Sequence, residues 1–391
     1  MKLFNIKLLI VLSSLCLAPH FSATAADIAL PASGDSSQGA HNPITSNKSD
    51  NSVAHIVDPK AVSKSIETSV MTLNVENLFD TRHDRGTEDF TYLPLKKKKS
   101  SKEAAAFCEA MKPGFYKTQC SELDWNEKVL SAKMKNIGEL IRYADNGKGP
   151  DHILLAEVEN IQVLKQLVKK ELRNLGYKTV SLIEGPDTRG IDTAFISKYP
   201  AVGKPLLHII PFQDEDPAAL KKAQKSRGIL EVTVKAPNKK NLTFLAVHFP
   251  SQSNPTAWRK QAVQFAADLL KKYQSEGRAV VLGGDMNIIA TEENTRGYFK
   301  NILSEQADVS HFVGCKTCKG SHNFRGDWSF LDVLAFSKNF NQVGFELLPD
   351  SIITVRSPIN TDADGTPMRF DEIKYTGVSD HFPLYARIRM F

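Results

Sequence analysis

Short apolar runs recur along the chain, and most of them end on a polar side chain. SVMTLNV around Val70 and Thr72, DHILLAEV around Ile153 to Leu155, RGILEVTV, NLTFLAVH, VVLGG from Val280, WSFLDVLAFS and FPLYARI all read as strands. RGIDTAFIS adds another behind a Gly-rich loop. Between the strands the spacing changes to three and four. Val129, Lys133, Met134, Ile137, Leu140 and Ile141 mark one helix, closed by NGKGP. Leu164, Leu167, Val168, Leu172 and Leu175 mark a second, closed at Gly176, and Trp258 to Tyr273 a third. Strands and helices alternate without a break, which predicts one layered α/β body over residues 66–391. Residues 81–125 interrupt it with acids, lysines and two cysteines. A loop of that length is either functional or pinned.

The first residues change where this body is expected to work. Lys2 and Lys7 precede a short apolar run, and Ala23 and Ala25 form an A-x-A site. Residues 1–25 therefore read as a cleaved signal peptide, too short to span a bilayer comfortably. Residues 26–65 are rich in Ser, Asn, Asp, Ala and Gly and read as a flexible leader. Neither stretch, nor any later one, predicts an integral membrane segment. The expectation is an exported protein, periplasmic or secreted, and a monomer.

Cleavage would leave Cys108, Cys120, Cys315 and Cys318. An even count in an exported chain suggests two disulfides, with Cys108–Cys120 and Cys315–Cys318 the local pairing among three arrangements. His311, Cys315, Cys318 and His322 also have zinc-like spacing. An oxidising compartment favours the disulfide. Formal charge is +6, falling to +4 once Lys2 and Lys7 are removed. That suits a phosphate-bearing substrate without requiring one. Lys96–Lys99 is the one strong cluster, and such runs are usually solvated.

Polar residues at strand ends carry the chemistry. They are Asn74, Glu157, His248, Asp285, Asn287, Asp332, Asp380 and His381. Singly, each is a common turn or cap residue. Asp332 is harder to dismiss, because an acid amid Trp, Phe, Leu and Val needs a partner or a cation. Asp285 and Asn287, two apart beyond Gly-Gly, are expected to project together from a sheet rim. Carboxylates and amides without thiolate suit a hard cation, Mg²⁺ or Mn²⁺, with Ca²⁺ a further candidate. A His beside an Asp supplies an imidazolium for developing negative charge, and an acid at the rim supplies a base for water. Together these describe metal-assisted hydrolysis of a phosphate ester. No nucleophile elbow, Walker loop or dinucleotide fingerprint competes.

LNVENLF, LLAEVEN, RGIDTAF, VHFPSQ, GGDMN, WSFLD and GVSDH stand in the order of the endonuclease/exonuclease/phosphatase, DNase I-like, superfamily, and the chain resembles it over about residues 69 to 391. The resemblance implies a four-layer α/β sandwich, two packed and mostly antiparallel sheets flanked by helices. It implies metal ligation by Glu157 with Asn74 and Asp380. It gives Asp285 the attacking water, Asn287 the phosphate, and His381, aligned by Asp332, the pentavalent state. His248 matches a second histidine, which Asp192 is expected to orient. Ala156 stands where the family often has Gln. The 81–125 insertion and CKTCKGSHNF lie outside the common core and are expected to border the cleft. The implied substrate is DNA or RNA cut by a metal-dependent nuclease. The alternative is a phosphatase or phospholipase C-type hydrolase of phosphoinositide, sphingomyelin or another small phosphoester. A lipid enzyme should show an exposed apolar hairpin, for which Phe90, Tyr92 and Leu93 are the candidates.

Overall fold

The computed structural model describes residues 66–391. The expected signal peptide and leader lie outside them. One six-stranded sheet runs in the order β13 (Phe345–Thr354), β14 (Leu384–Met390), β1 (Ile66–Leu78), β2 (His152–Val158), β4 (Asp192–Ser197), β3 (Thr179–Leu182). The other runs β5 (Leu206–His208), β6 (Ile229–Lys235), β7 (Asn241–His248), β8 (Ala279–Asp285), β12 (Asp332–Ser337), β9 (Ala307–Val309). A small hairpin pairs β10 (His322–Phe324) with β11 (Asp327–Ser329).

Each large sheet is antiparallel apart from one pair, β1 with β2 and β7 with β8. Parallel neighbours need a crossover, and a helix supplies it both times: α4 (Glu127–Tyr143) and α7 (Thr256–Ser275). Three apolar layers follow. Val70, Leu154, Phe195, Phe244, Val281 and Leu384 pack between the sheets. The outer face of the first sheet packs Leu73, Ile153 and Ile196 against Met134, Ile137 and Leu164, the last from α5 (Ile161–Glu171). The second packs Leu245, Val280 and Leu282 against Trp258, Val263 and Leu270. This is the expected four-layer sandwich.

The insertion is not a loop. It folds as α1 (Leu95–Ser100), α2 (Lys102–Ala110) and α3 (Phe115–Glu122), with Cys108 bonded to Cys120. The lysine run lies on α1, and one of its members, Lys98, is buried. Lys98 Nζ donates to the carbonyls of Cys120 at 2.7 Å and Thr91 at 3.1 Å, and Lys97 Nζ to that of Thr81 at 2.9 Å. Burial lowers the Lys98 ammonium to about 8. The candidate residues for a lipid-binding hairpin do not form an exposed apolar tip. Phe90 and Leu93 are buried, Phe90 against Phe107, and Tyr92 stacks on Phe79. Cys315 is bonded to Cys318, which removes the zinc alternative. Among the described residues no helix is long and apolar enough to cross a membrane.

Candidate active site

Strand direction gathers the strand-end residues at one rim. β1 and β2 finish there, while β4 and β14, antiparallel to their neighbours, begin there. In the second sheet β7 and β8 finish and β12 begins. His248 therefore stands opposite Asp285, and Asp285 opposite Asp332. Asn74 ties the two rims together, because its Nδ2 donates to Asp285 Oδ2 at 3.0 Å and to Glu157 Oε1 at 3.3 Å.

β8 does not stop at Gly-Gly as expected; it runs through Gly283 and Gly284 to Asp285. Gly284 has φ +142, and a Cβ there would lie 2.0 Å from the Val247 carbonyl oxygen. The glycine thus permits close approach of β7, and the turn comes later, at Asn287 with φ +54. Asn287 does not extend from Asp285 as a strand residue would. Its N–H donates to Asp285 Oδ1 at 2.8 Å, and its Nδ2 to the Phe249 carbonyl at 3.0 Å. Glu157 sits in a bulge of β2 with φ +65, which re-aims its carboxylate into the cleft. Non-glycine residues at positive φ are costly, and four of them, Glu76, Asn77, Glu157 and Asn287, line this one cleft.

His381 Nδ1 bonds Asp332 Oδ2 at 2.6 Å in a buried pair. Its Nε2 lies 3.8 Å from Asp380 Oδ1 and 4.0 Å from Asp285 Oδ2. Burial opposes charge on the ring, but Asp332, Asp285 and Asp380 outweigh it and hold the imidazolium well above the usual histidine range. His248 is the opposite case. Burial, with Arg227, Arg189 and His381 nearby, keeps it neutral. Its Nε2 lies 3.7 Å from Asp285 Oδ2 and 3.8 Å from Glu157 Oε1. The expected Asp192–His248 contact is not made. Asp192 Oδ1 accepts from the Gly185 N–H at 2.9 Å, and His248 Nδ1 has no hydrogen-bond partner among the described residues.

The cleft has a volume of about 1300 Å³, and Glu76, Glu157, Asp285 and Asp380 all face it. Burial first, with Asp332 and Glu157 adding to it, pushes the Asp285 carboxyl up to about 7 despite the opposing pull of His381. Burial and Asp380 raise Glu76 to about 6. Crowded oxygen donors of this kind fit a hard divalent cation. Three groups not expected from the sequence join them. Arg369 bridges Glu76 at 2.6 Å and Asp380 at 3.2 Å. Lys133, taken as a helical core position, is fully buried with Nζ donating to the Val378 carbonyl at 2.7 Å, just before Ser379-Asp380-His381. His322 stands 4.9 Å from the His381 ring, and donor atoms of His322, Asp380 and His381 lie within 4.8 Å of one another. The zinc-like spacing had marked His322, but for a different partner set.

The geometry is that of an α/β sandwich with a candidate histidine–aspartate site at one rim. Residues 114–390 match the family model described as Endonuclease/Exonuclease/phosphatase family, and the chain belongs to that family. A general phosphoesterase, nuclease-like function goes with that membership. No curated protein matches the chain. Solved structures similar to it include the endonuclease/exonuclease/phosphatase from Beutenbergia cavernae, at 14% identity and TM-score 0.49, covering 83% of this chain and 72% of that one. The Bacteroides thetaiotaomicron family protein gives 14% and 0.49, covering 84% and 99%. TDP2 from C. elegans gives 14% and 0.49, covering 83% and 75%.

Proposed function

We propose that the chain is an exported, divalent-metal-dependent nuclease that hydrolyses DNA or RNA phosphodiesters by attack of water. The observation that carries this reading is the buried Asp332–His381 pair, whose Nε2 faces Asp285 across the cleft floor. Asp285, held by Asn74 and the Asn287 N–H, takes the proton of the attacking water. His381, held charged by Asp332, meets the negative charge that develops on phosphorus oxygens. Neutral His248 and the Asn287 side chain orient the phosphate from the other side.

Glu157, steadied by Asn74, and Asp380 would hold Mg²⁺ or Mn²⁺, which when bound neutralises phosphate charge and acidifies water. Two closed disulfides support export to an oxidising compartment.

The test is nicking of supercoiled plasmid by the protein lacking residues 1–25, with Mg²⁺ or EDTA, beside His381→Ala. Mg²⁺-dependent nicking that the variant lacks is expected. Turnover of phosphoinositide or sphingomyelin without any nicking would replace the nuclease reading with the small-phosphoester one.

A further inference from the structure

We infer that Phe115 and Tyr116 form a stacking wall that makes single-stranded nucleic acid the preferred substrate of this cleft. The inference rests on the phosphodiesterase reading above and extends it to the shape of the substrate. Both rings line the same cleft as His381 and Asp285. Phe115 is 71% exposed and Tyr116 75%, with ring centroids 5.6 Å apart at 73°. Neighbouring aromatics this open forgo the burial that usually stabilises such side chains. The helix that carries them is anchored. The Cys108–Cys120 bond pins α3 to α2, and Lys117 Nζ donates to the Glu109 carbonyl at 2.8 Å and to its carboxylate at 2.9 Å.

Charge completes the fit. Lys112, Lys222 and Lys225 line the cleft and enter no ion pair among the described residues. Arg189 has only Asp187, at 4.0 Å. Ring faces and unneutralised cations lining one cleft suit the bases and phosphates of a strand. A duplex keeps its base faces stacked on one another and has none to offer. A membrane-inserting tip would carry its apolar residues on a convex end. This pair lines a concave wall instead.

The experiment compares wild type with Phe115→Ala/Tyr116→Ala on three substrates in Mg²⁺: a single-stranded oligonucleotide, the same sequence as duplex, and bis(p-nitrophenyl) phosphate. Binding of a fluorescent oligo-dT is read in EDTA by anisotropy. We expect KM and Kd for the single strand to rise about ten-fold or more. Turnover of bis(p-nitrophenyl) phosphate, which reports the catalytic floor alone, stays unchanged, and so does duplex cleavage. Phe115→Trp/Tyr116→Trp restores the single-strand KM. An unchanged single-strand Kd, an equal loss on duplex, or a loss confined to sedimentation with phosphatidylcholine/phosphatidylglycerol vesicles overturns the proposal. A wild type inert toward bis(p-nitrophenyl) phosphate in Mg²⁺ would instead sink the phosphodiesterase reading, while anisotropy would still judge the wall.

Discussion

At the scale of residues, Asp332 decides the most. It is fully buried, and its Oδ2 holds His381 at 2.6 Å. Asp332→Asn keeps the shape but removes the charge that holds the imidazolium, so kcat on plasmid should fall about 100-fold or more with little change in KM. His381→Ala should fall at least as far, and the double variant no further than the worse single one, because the two act as a unit. Additive losses would break the assignment. A second site tests the fold rather than the chemistry. Glu231 is buried and would be raised by that burial, but His208, Tyr273 and Arg278 bond it and lower its carboxyl to about 2. A depressed folded pKa gives stability that is present above the unfolded value near 4.5 and lost as pH falls toward 2. Glu231→Gln should therefore cost about 2 kcal/mol at pH 7. The gap to wild type in urea midpoint should narrow at pH 3.5; a constant gap would show that the charge contributes nothing. Asp332 was legible in the sequence because an acid in an apolar run has few alternatives. Lys133 and Arg369 were not. Their partners lie on other segments, and a lysine at a helical core position reads the same whether it snorkels or bonds a distant carbonyl.

At the scale of elements, the strands and crossover helices were readable because each buries a face with a clear period. Two features were not. The insertion lacks a long amphipathic stretch, so its short helices, set by a disulfide and by lysines bonding carbonyls, looked like loop. Gly283-Gly284 looked like a turn, although Gly284 serves the contact of β8 with β7, and Gly283 sits against Leu334 of β12. That contact makes a prediction. Gly284→Ala would add a Cβ 2.0 Å from the Val247 carbonyl oxygen at φ +142, a backbone clash that no side-chain rotation relieves. It should cost about 3 kcal/mol or more and lower the thermal midpoint accordingly. Gly203→Ala also has positive φ, +76, but meets nothing within 4 Å. It should cost only about 1 kcal/mol. Equal losses would mean that dihedral strain, and not strand approach, sets the need for glycine.

At the scale of the whole molecule, the question is how a chain of nearly balanced charge gathers a polyanion. The floor of the cleft is acidic, with Glu76, Glu157, Asp285 and Asp380, and would repel phosphate on its own. Lys112, Arg189, Lys222 and Lys225 line the same cleft and must outweigh that repulsion. Net charge does not report this, because it also counts cations such as Lys98, which is buried and bonded to carbonyls inside the insertion. If four cations each displace a condensed counterion from a single strand, the plot of log Kd against log salt should have a slope of about 3. Lys225→Ala should reduce that slope by about 0.7 and weaken all sequences alike. Phe115→Ala/Tyr116→Ala should weaken binding at every salt concentration and leave the slope where it was, since ring faces displace no ions. Anisotropy of oligo-dT across a salt series measures both variants in one design. A wild-type slope near zero would mean that the cleft cations do not meet phosphates, and the substrate would then have to be small.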